Sequence, residues 1–187
     1  NRSLRWIEKK GTRNWVGYSF AWMACLYARA QEGDSAAGML QKFASNFCSV
    51  NSFHLNGDQK GGQYSNFTYR PFTLEGNFAF AQGIHELLLQ SYKGYIEIFP
   101  SVPFGWKDVS FNTLRTEGAF LVSAKKENAV ITEVKITSEK GGQLNVRLPF
   151  KTWINTGIER SLIHVENDIA TIKLKKGQTI IFKNAFE

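Results

Sequence analysis

The sequence predicts a multidomain α and β protein: a helical domain over residues 1–99, then an antiparallel β-sandwich over residues 100–187. Two observations carry this reading. The hydrophobic period drops from three-to-four to two near residue 95. Beyond that point, short apolar or alternating runs are separated by strong turn signals. With 187 residues, 43% of them hydrophobic and 14% aromatic, the chain can hold a packed core, although the three aromatic-faced helices form a poor core by themselves.

The helical elements come first. In WVGYSFAWMACLYARA, Trp15, Ser19, Trp22, Leu26 and Ala30 recur at steps of three and four, joined by Met23 and Tyr27. This predicts one broad apolar face on a helix ending near Gln31. Gly33 suits a left-handed C-terminal position, and Asp34 suits the cap of the next helix. That helix, SAAGMLQKFASNF, places Ala36, Met39, Leu40, Phe43 and Phe47 in register. A third, NFAFAQGIHELLLQSY, aligns Phe78, Ala81, His85, Leu88 and Tyr92, with Gly94 closing it. Residues 50–76 between them form a long irregular loop, a length that usually signals function.

The strands follow. YIEIFPSVP is a short strand ended by Pro100 and Pro103. AFLVSAKK, AVITEVKITS, QLNVRLPF, SLIHV, IATIKLKK and QTIIFKN alternate or run apolar. Glu127-Asn128, Gly141-Gly142, Asn167-Asp168 and Lys176-Gly177 mark the turns. Strands this short at this spacing form a sandwich.

Several function classes are disfavoured. The net charge of +7 is spread evenly, 10 basic and 7 acidic side chains in residues 1–99 against 13 and 9 in residues 100–187. Without a basic run or a nucleic-acid motif, this reads as a solvated surface, and no nucleic-acid partner is expected. No stretch is apolar and long enough to span a membrane. His54, His85 and His164 show no metal-ligand spacing, so no metal and no cofactor are expected. Cys25 and Cys48 sit about 10 Å apart along a helical hairpin, beyond disulfide reach, and are read as free thiols. The first helix carries large residues around much of its circumference, and the chain starts at Asn1 rather than Met. Both features fit the end of a larger helical domain, completed by a missing N-terminal part of the same protein or by self-association.

Carboxylates are the remaining chemical candidates. Asp34 reads as a cap. Glu86 is either a surface residue or a buried hydrogen-bond acceptor, and Asp58 either a substrate contact or a solvated turn. Glu75 stands out in PFTLEGNFAF, held between a proline turn and a helix start. Local physics leaves two readings open: a carboxylate favouring the helix dipole while Asn77 caps, or a catalytic group.

The segments GYSFAW, YARAQEGD, RPFTLEGNFAF and GIHELLLQSYKGYIEIFPSVPFGWKD, in this order, resemble the C-terminal part of glycoside hydrolase family 95. The likeness spans about residues 15–110. Those enzymes are chiefly α-L-fucosidases, with α-L-galactosidase activity in some members. The resemblance implies the last helices of an (α/α)₆ barrel followed by a β-sandwich. It also implies an inverting hydrolase for a glycan or oligosaccharide substrate, in an extracellular or periplasmic setting. Glu75 falls where the family carries a base-side Asp, and the family's general acid is a Glu upstream of these residues, so this chain alone is expected to be inactive. Trp15, Tyr18 and Trp22 are either pocket walls or core. Tyr69 and Arg70 stand where the family has His-Pro, and Arg70 suits either an acidic sugar or a surface salt bridge. Thr73 replaces Gln, Ala79 replaces Gly, and Tyr18 replaces the first Trp of the G-W-S-x-A-W pattern. Departures gathered near the sugar-facing loop suit another glycoside specificity, or a carbohydrate-binding scaffold without catalysis.

Overall fold

A computed structural model describes residues 2–185. The chain forms two compact units, Asn1–Leu87 with Pro100–Pro103, and Leu88–Phe99 with Phe104–Glu187.

The first unit is helical: α1 (Arg2–Lys10), α2 (Gly17–Arg29), α3 (Gly33–Asn46) and α4 (Glu75–Leu88). Helix α1 had no counterpart in the periodicity, because Leu4 is its one buried residue. Polar contacts fasten it instead. The Tyr27 hydroxyl donates to Glu8 at 2.5 Å, and Arg5 bonds both Glu8 and Glu32. The Tyr27 hydrogen bond and then Arg5 hold the Glu8 carboxyl below its ordinary pKa.

Helix α4 buries a face other than the one the periodicity favoured, and α2 buries only the Met23 and Tyr27 side of its predicted broad face. In α2 the buried set is Phe20, Ala21, Met23, Ala24, Tyr27 and Ala28, while Trp22 is 43% exposed. In α4 Gly76, Gly83, Glu86 and Leu87 are buried, while Phe78 is 66% exposed. Small residues explain the choice in α2, since alanines at 21, 24 and 28 let a neighbouring helix approach closely. The core that results contains Phe20, Phe43 and Phe47, each worth roughly 1.5–3 kcal/mol in apolar burial. The α2–α3 turn also differs from expectation. Gln31 (φ +63°), not Gly33, takes the left-handed conformation, and Glu32 occupies the N-cap position while Asp34 lies inside α3. Gly33 is needed for space, because a Cβ there would collide with the Ser101 carbonyl.

The second unit starts inside the stretch read as the third helix. That helix stops at Leu88, and β1 (Leu89–Gln90) pairs antiparallel with β2 (Ile96–Ile98). The apolar Leu87–Leu89 run suits either element, and the turn at Gly94 (φ +82°) lets the chain double back. The remaining strands are β3 (Val109–Thr116), β4 (Phe120–Glu127), β5 (Val130–Ser138), β6 (Gly142–Arg147), β7 (Trp153–Thr156), β8 (His164–Glu166), β9 (Ile169–Leu174) and β10 (Thr179–Asn184). They form two five-stranded sheets, β1-β2-β6-β9-β8 and β3-β4-β5-β10-β7. Pairing is antiparallel except between β2 and β6. Strands β3 and β7 were not expected. A bulge between Phe111 and Leu114 breaks the alternation of β3, and β7 is short and half exposed. The turn signals at 127–128 and 167–168 correspond to turns in which Asn128, Ala129, Asn167 and Asp168 all have positive φ, the twist that two-residue hairpins require. Leu144, Val146 and Ile172 of one sheet pack with Val134, Ile136 and Phe182 of the other.

Candidate active site

Helices α2 and α4 run alongside one another in the same direction. Cys25 Sγ reaches the Ala79 carbonyl at 3.7 Å, and further on, one turn along α2 and two along α4, Arg29 reaches Glu86. Both N-termini therefore lie at one end of the pair. Between the helices is a groove of about 520 Å³, lined by Tyr18, Trp22, Cys25, Arg29, Glu75, Phe78, Gln82 and Glu86, among others.

Of the residues singled out from sequence, Glu75, Tyr18 and Trp22 meet in this groove. Glu75 opens α4, is exposed, and stands at the N-terminal end of the groove. Trp15 does not line it. Its ring packs edge to face on Phe20 at 5.2 Å, against the core. Tyr69 packs on Phe67 within the long loop, and neither Tyr69 nor Arg70 lines the groove. Asn77 does not cap α4. It lies within the first turn, where its Oδ1 accepts the His54 backbone N–H at 2.9 Å and its Nδ2 donates to the Ser52 carbonyl at 2.8 Å. Its role is to tie the helix start to the loop.

Glu86, Arg29 and Cys25 also line the groove and were not predicted as site residues. Glu86 is 3% exposed, and its Oε1 accepts from Arg29 Nε at 3.0 Å, Arg29 Nη2 at 2.6 Å and Gln82 Nε2 at 3.0 Å. It is thus the buried acceptor, not the surface residue. The Glu86–Gln82 pairing was legible as an i, i+4 contact, but Arg29 lies 57 positions away. Glu75 and Glu86 share one face of α4 about 16 Å apart along its axis. Inverting carboxyl pairs stand about 6.5–9.5 Å apart, so Glu86 is too far to serve as the acid opposite Glu75. Cys25 is half-buried beside Glu86 and Arg29. Burial, aided by Glu86 and opposed by Arg29, pushes its thiol up to about 11, so it stays protonated at neutral pH. Cys25 and Cys48 are both free thiols.

The Glu75 turn is held from beneath by His54, whose side chain is completely buried. Its Nδ1 lies 2.8 Å from both the Thr73 carbonyl and Thr73 Oγ1. A carbonyl only accepts, so Nδ1 carries the proton. Thr73 N–H donates back to the His54 carbonyl at 3.3 Å. The ring stacks on Phe43 at 5.1 Å, and burial lowers its pKa, opposed by the Thr73 carbonyl and Glu75. Asp58, in the same loop, contacts no groove residue. It is buried and accepts from Lys60 N–H, Tyr64 N–H and Asn46 Nδ2, which makes it the loop's internal frame. Among the described residues, no group of three or more His, Cys, Asp or Glu is placed to hold a metal ion. No helix among the described residues is long and apolar enough to cross a membrane.

Comparison with known proteins places this arrangement. Residues 3–88 match the glycosyl hydrolase family 95 catalytic domain, and residues 90–182 match the glycoside hydrolase family 95, C-terminal domain. The chain belongs to glycoside hydrolase family 95. The helical unit of this family 95 chain thus falls within the catalytic-domain match and the sandwich within the C-terminal one. Alpha-L-fucosidase 2 of Arabidopsis thaliana is 31% identical over 137 residues, 72% of this chain and 16% of that relative. The chain therefore corresponds to under a fifth of the relative's length. A solved GH127 beta-L-arabinofuranosidase from Geobacillus stearothermophilus T6 aligns with 88% of this chain and 31% of its own, at 12% identity and a TM-score of 0.34.

Proposed function

We propose that this family 95 chain supplies the base-side carboxylate of an inverting hydrolase for terminal α-linked sugars of the α-L-fucoside kind. Glu75 is that carboxylate. The observation that carries the reading is its place: an exposed carboxylate opening α4, at the end of a groove walled by Tyr18 and Trp22. Aromatic faces suit the apolar face of a deoxy sugar, and a carboxylate at that end can draw a proton from water. The family resemblance puts the general acid on a Glu upstream of these residues, so this chain alone is inactive; the distance of Glu86 from Glu75 agrees with that. The substrate is a glycan or oligosaccharide, and the family resemblance suits an extracellular or periplasmic setting. Tyr69 and Arg70, which do not line the groove, serve further along a longer substrate, Asn77 acts through the turn it holds, and Trp15 acts through the core it packs into.

The test is Glu75→Gln in the full-length protein, assayed on α-L-fucosides and α-L-galactosides. We expect kcat to fall by about 100-fold or more, in the range of a lost general base. Unchanged turnover would reject the role. A second reading, sugar binding without turnover, draws on the extra methylene of Glu75 relative to the family's Asp. If wild type binds fucoside but is inert and Glu75→Asp gains turnover, that second reading holds.

A further inference from the structure

His54 occupies a position that none of its sequence neighbours explains. It is wedged between the first turns of α2 and α4. A Cβ on Gly17 would collide with its Nε2, and a Cβ on Gly76 would collide with its Nδ1. Each helix therefore carries in its first turn a glycine that makes room for this imidazole, Gly17 opening α2 and Gly76 directly following Glu75 in α4.

The bonding is one-sided. Around Nδ1 and the backbone, His54 makes three tethers to the Glu75 turn: to the Thr73 carbonyl, to Thr73 N–H and to Asn77 Oδ1. Leu55, the next residue, bridges Phe72. Nε2 by contrast is buried with no hydrogen-bond partner among the described residues. An orphaned polar atom in a core needs a reason. With the proton on Nδ1, the bare Nε2 lone pair faces the start of α2, where the helix dipole is positive. A proton at Nε2 would meet both that dipole and the Gly17 backbone. The surroundings thus hold one tautomer, and that tautomer points its donor at the turn carrying the carboxylate.

We propose that His54 is a positioning residue: its neutral Nδ1–H form sets the Thr73–Asn77 turn and so fixes where the Glu75 carboxylate stands. This rests on the reading of Glu75 as the base-side group. A loosened turn would displace that group, and a displacement of about 1 Å can cost on the order of 100-fold in rate.

Two amides separate the two ring nitrogens. Asparagine places its amide where Nδ1 is, and glutamine places its amide where Nε2 is. If His54 only filled space, the larger glutamine would serve at least as well as asparagine. In the full-length protein we expect H54N to keep kcat within about tenfold, and H54Q to lose about 100-fold with KM little changed. Thermal melting of both variants monitors folding. Nitrogen-15 NMR of histidine-labelled wild type, assigned by the signal lost in H54N, should show a protonated Nδ1 and a bare Nε2. Amide exchange at Asn77 and Phe78 should stay slow in H54N and quicken in H54Q. A protonated Nε2, or H54Q matching or exceeding H54N in kcat at equal melting temperature, would overturn the proposal. If wild type turns over neither glycoside, the functional reading falls, while the tautomer and the exchange pattern still decide whether His54 positions the turn.

Discussion

The sandwich unit and the helical unit differ in how many of their aromatic residues they leave exposed. In the sandwich, inward positions such as Val122, Val134, Ile136, Leu144, Val146 and Phe182 are almost wholly buried, and each sheet covers the other. In the helical unit, Tyr18, Trp22, Phe53, Phe72 and Phe78 remain between 39% and 66% exposed. Several of them surround Glu75 or line its groove. Among the described residues the sandwich unit leaves fewer aromatics in the open, Tyr92, Phe104 and Trp106, whereas several exposed aromatics of the helical unit stand beside its candidate chemistry. Exposed aromatics at this density mark a surface meant to be covered, by substrate or by protein.

Truncating both kinds of residue tests that contrast. Phe182→Ala removes a ring with no exposure and should destabilise the sandwich by about 3–5 kcal/mol, read by chemical denaturation. A loss under about 1 kcal/mol would mean the sheets are loosely packed. Asp58→Ala comes next. It leaves three buried or half-buried N–H donors without their acceptor and should cost about 1–3 kcal/mol. Asp58 also predicts a pH dependence. Burial pushes its pKa up, but the Tyr64, Lys60, Asn46 and Ser65 donors outweigh burial and hold it below the ordinary carboxylate value. Its contribution is therefore complete above the unfolded-state carboxylate pKa and fades as pH falls through the lower folded value. Wild type should lose stability over that acid window, and Asp58→Asn should lose less. Phe78→Ala should change stability least, within about 0.5 kcal/mol, because its ring is mostly exposed. A large loss there would show that Phe78 belongs to the core and would weaken the contrast.

The two units also differed in how far they could be read in advance. Six of the strand runs in residues 119–184 correspond to observed strands, because a period of two distinguishes the two faces of a half-buried sheet. Helical spacing revealed α2 and α4 but not their buried sides. On α2, Trp22 and Tyr27 compete as inward residues, and only the alanines opposite the neighbouring helix settle which side closes. The candidate site shows the same limit. Glu75, Tyr18 and Trp22 came forward from ordered motifs. Arg29 and His54 did not, since their partners lie 57 and 19 or more positions away. The cap assigned to Asn77 failed for a related reason: its side chain had a better offer from a loop 23 residues back.

By itself, then, the sequence determined the order of helices and strands, the hairpin turns and the place of one unusual carboxylate. Those features rest on local physics: side-chain periodicity, backbone conformation at Asn and Gly, and short motifs. The tertiary structure alone decided which helix faces close, which carboxylate is buried with an arginine, and why Gly17 and Gly76 are glycines. Each of these depends on the approach of segments distant in the chain, and local preference cannot encode that approach.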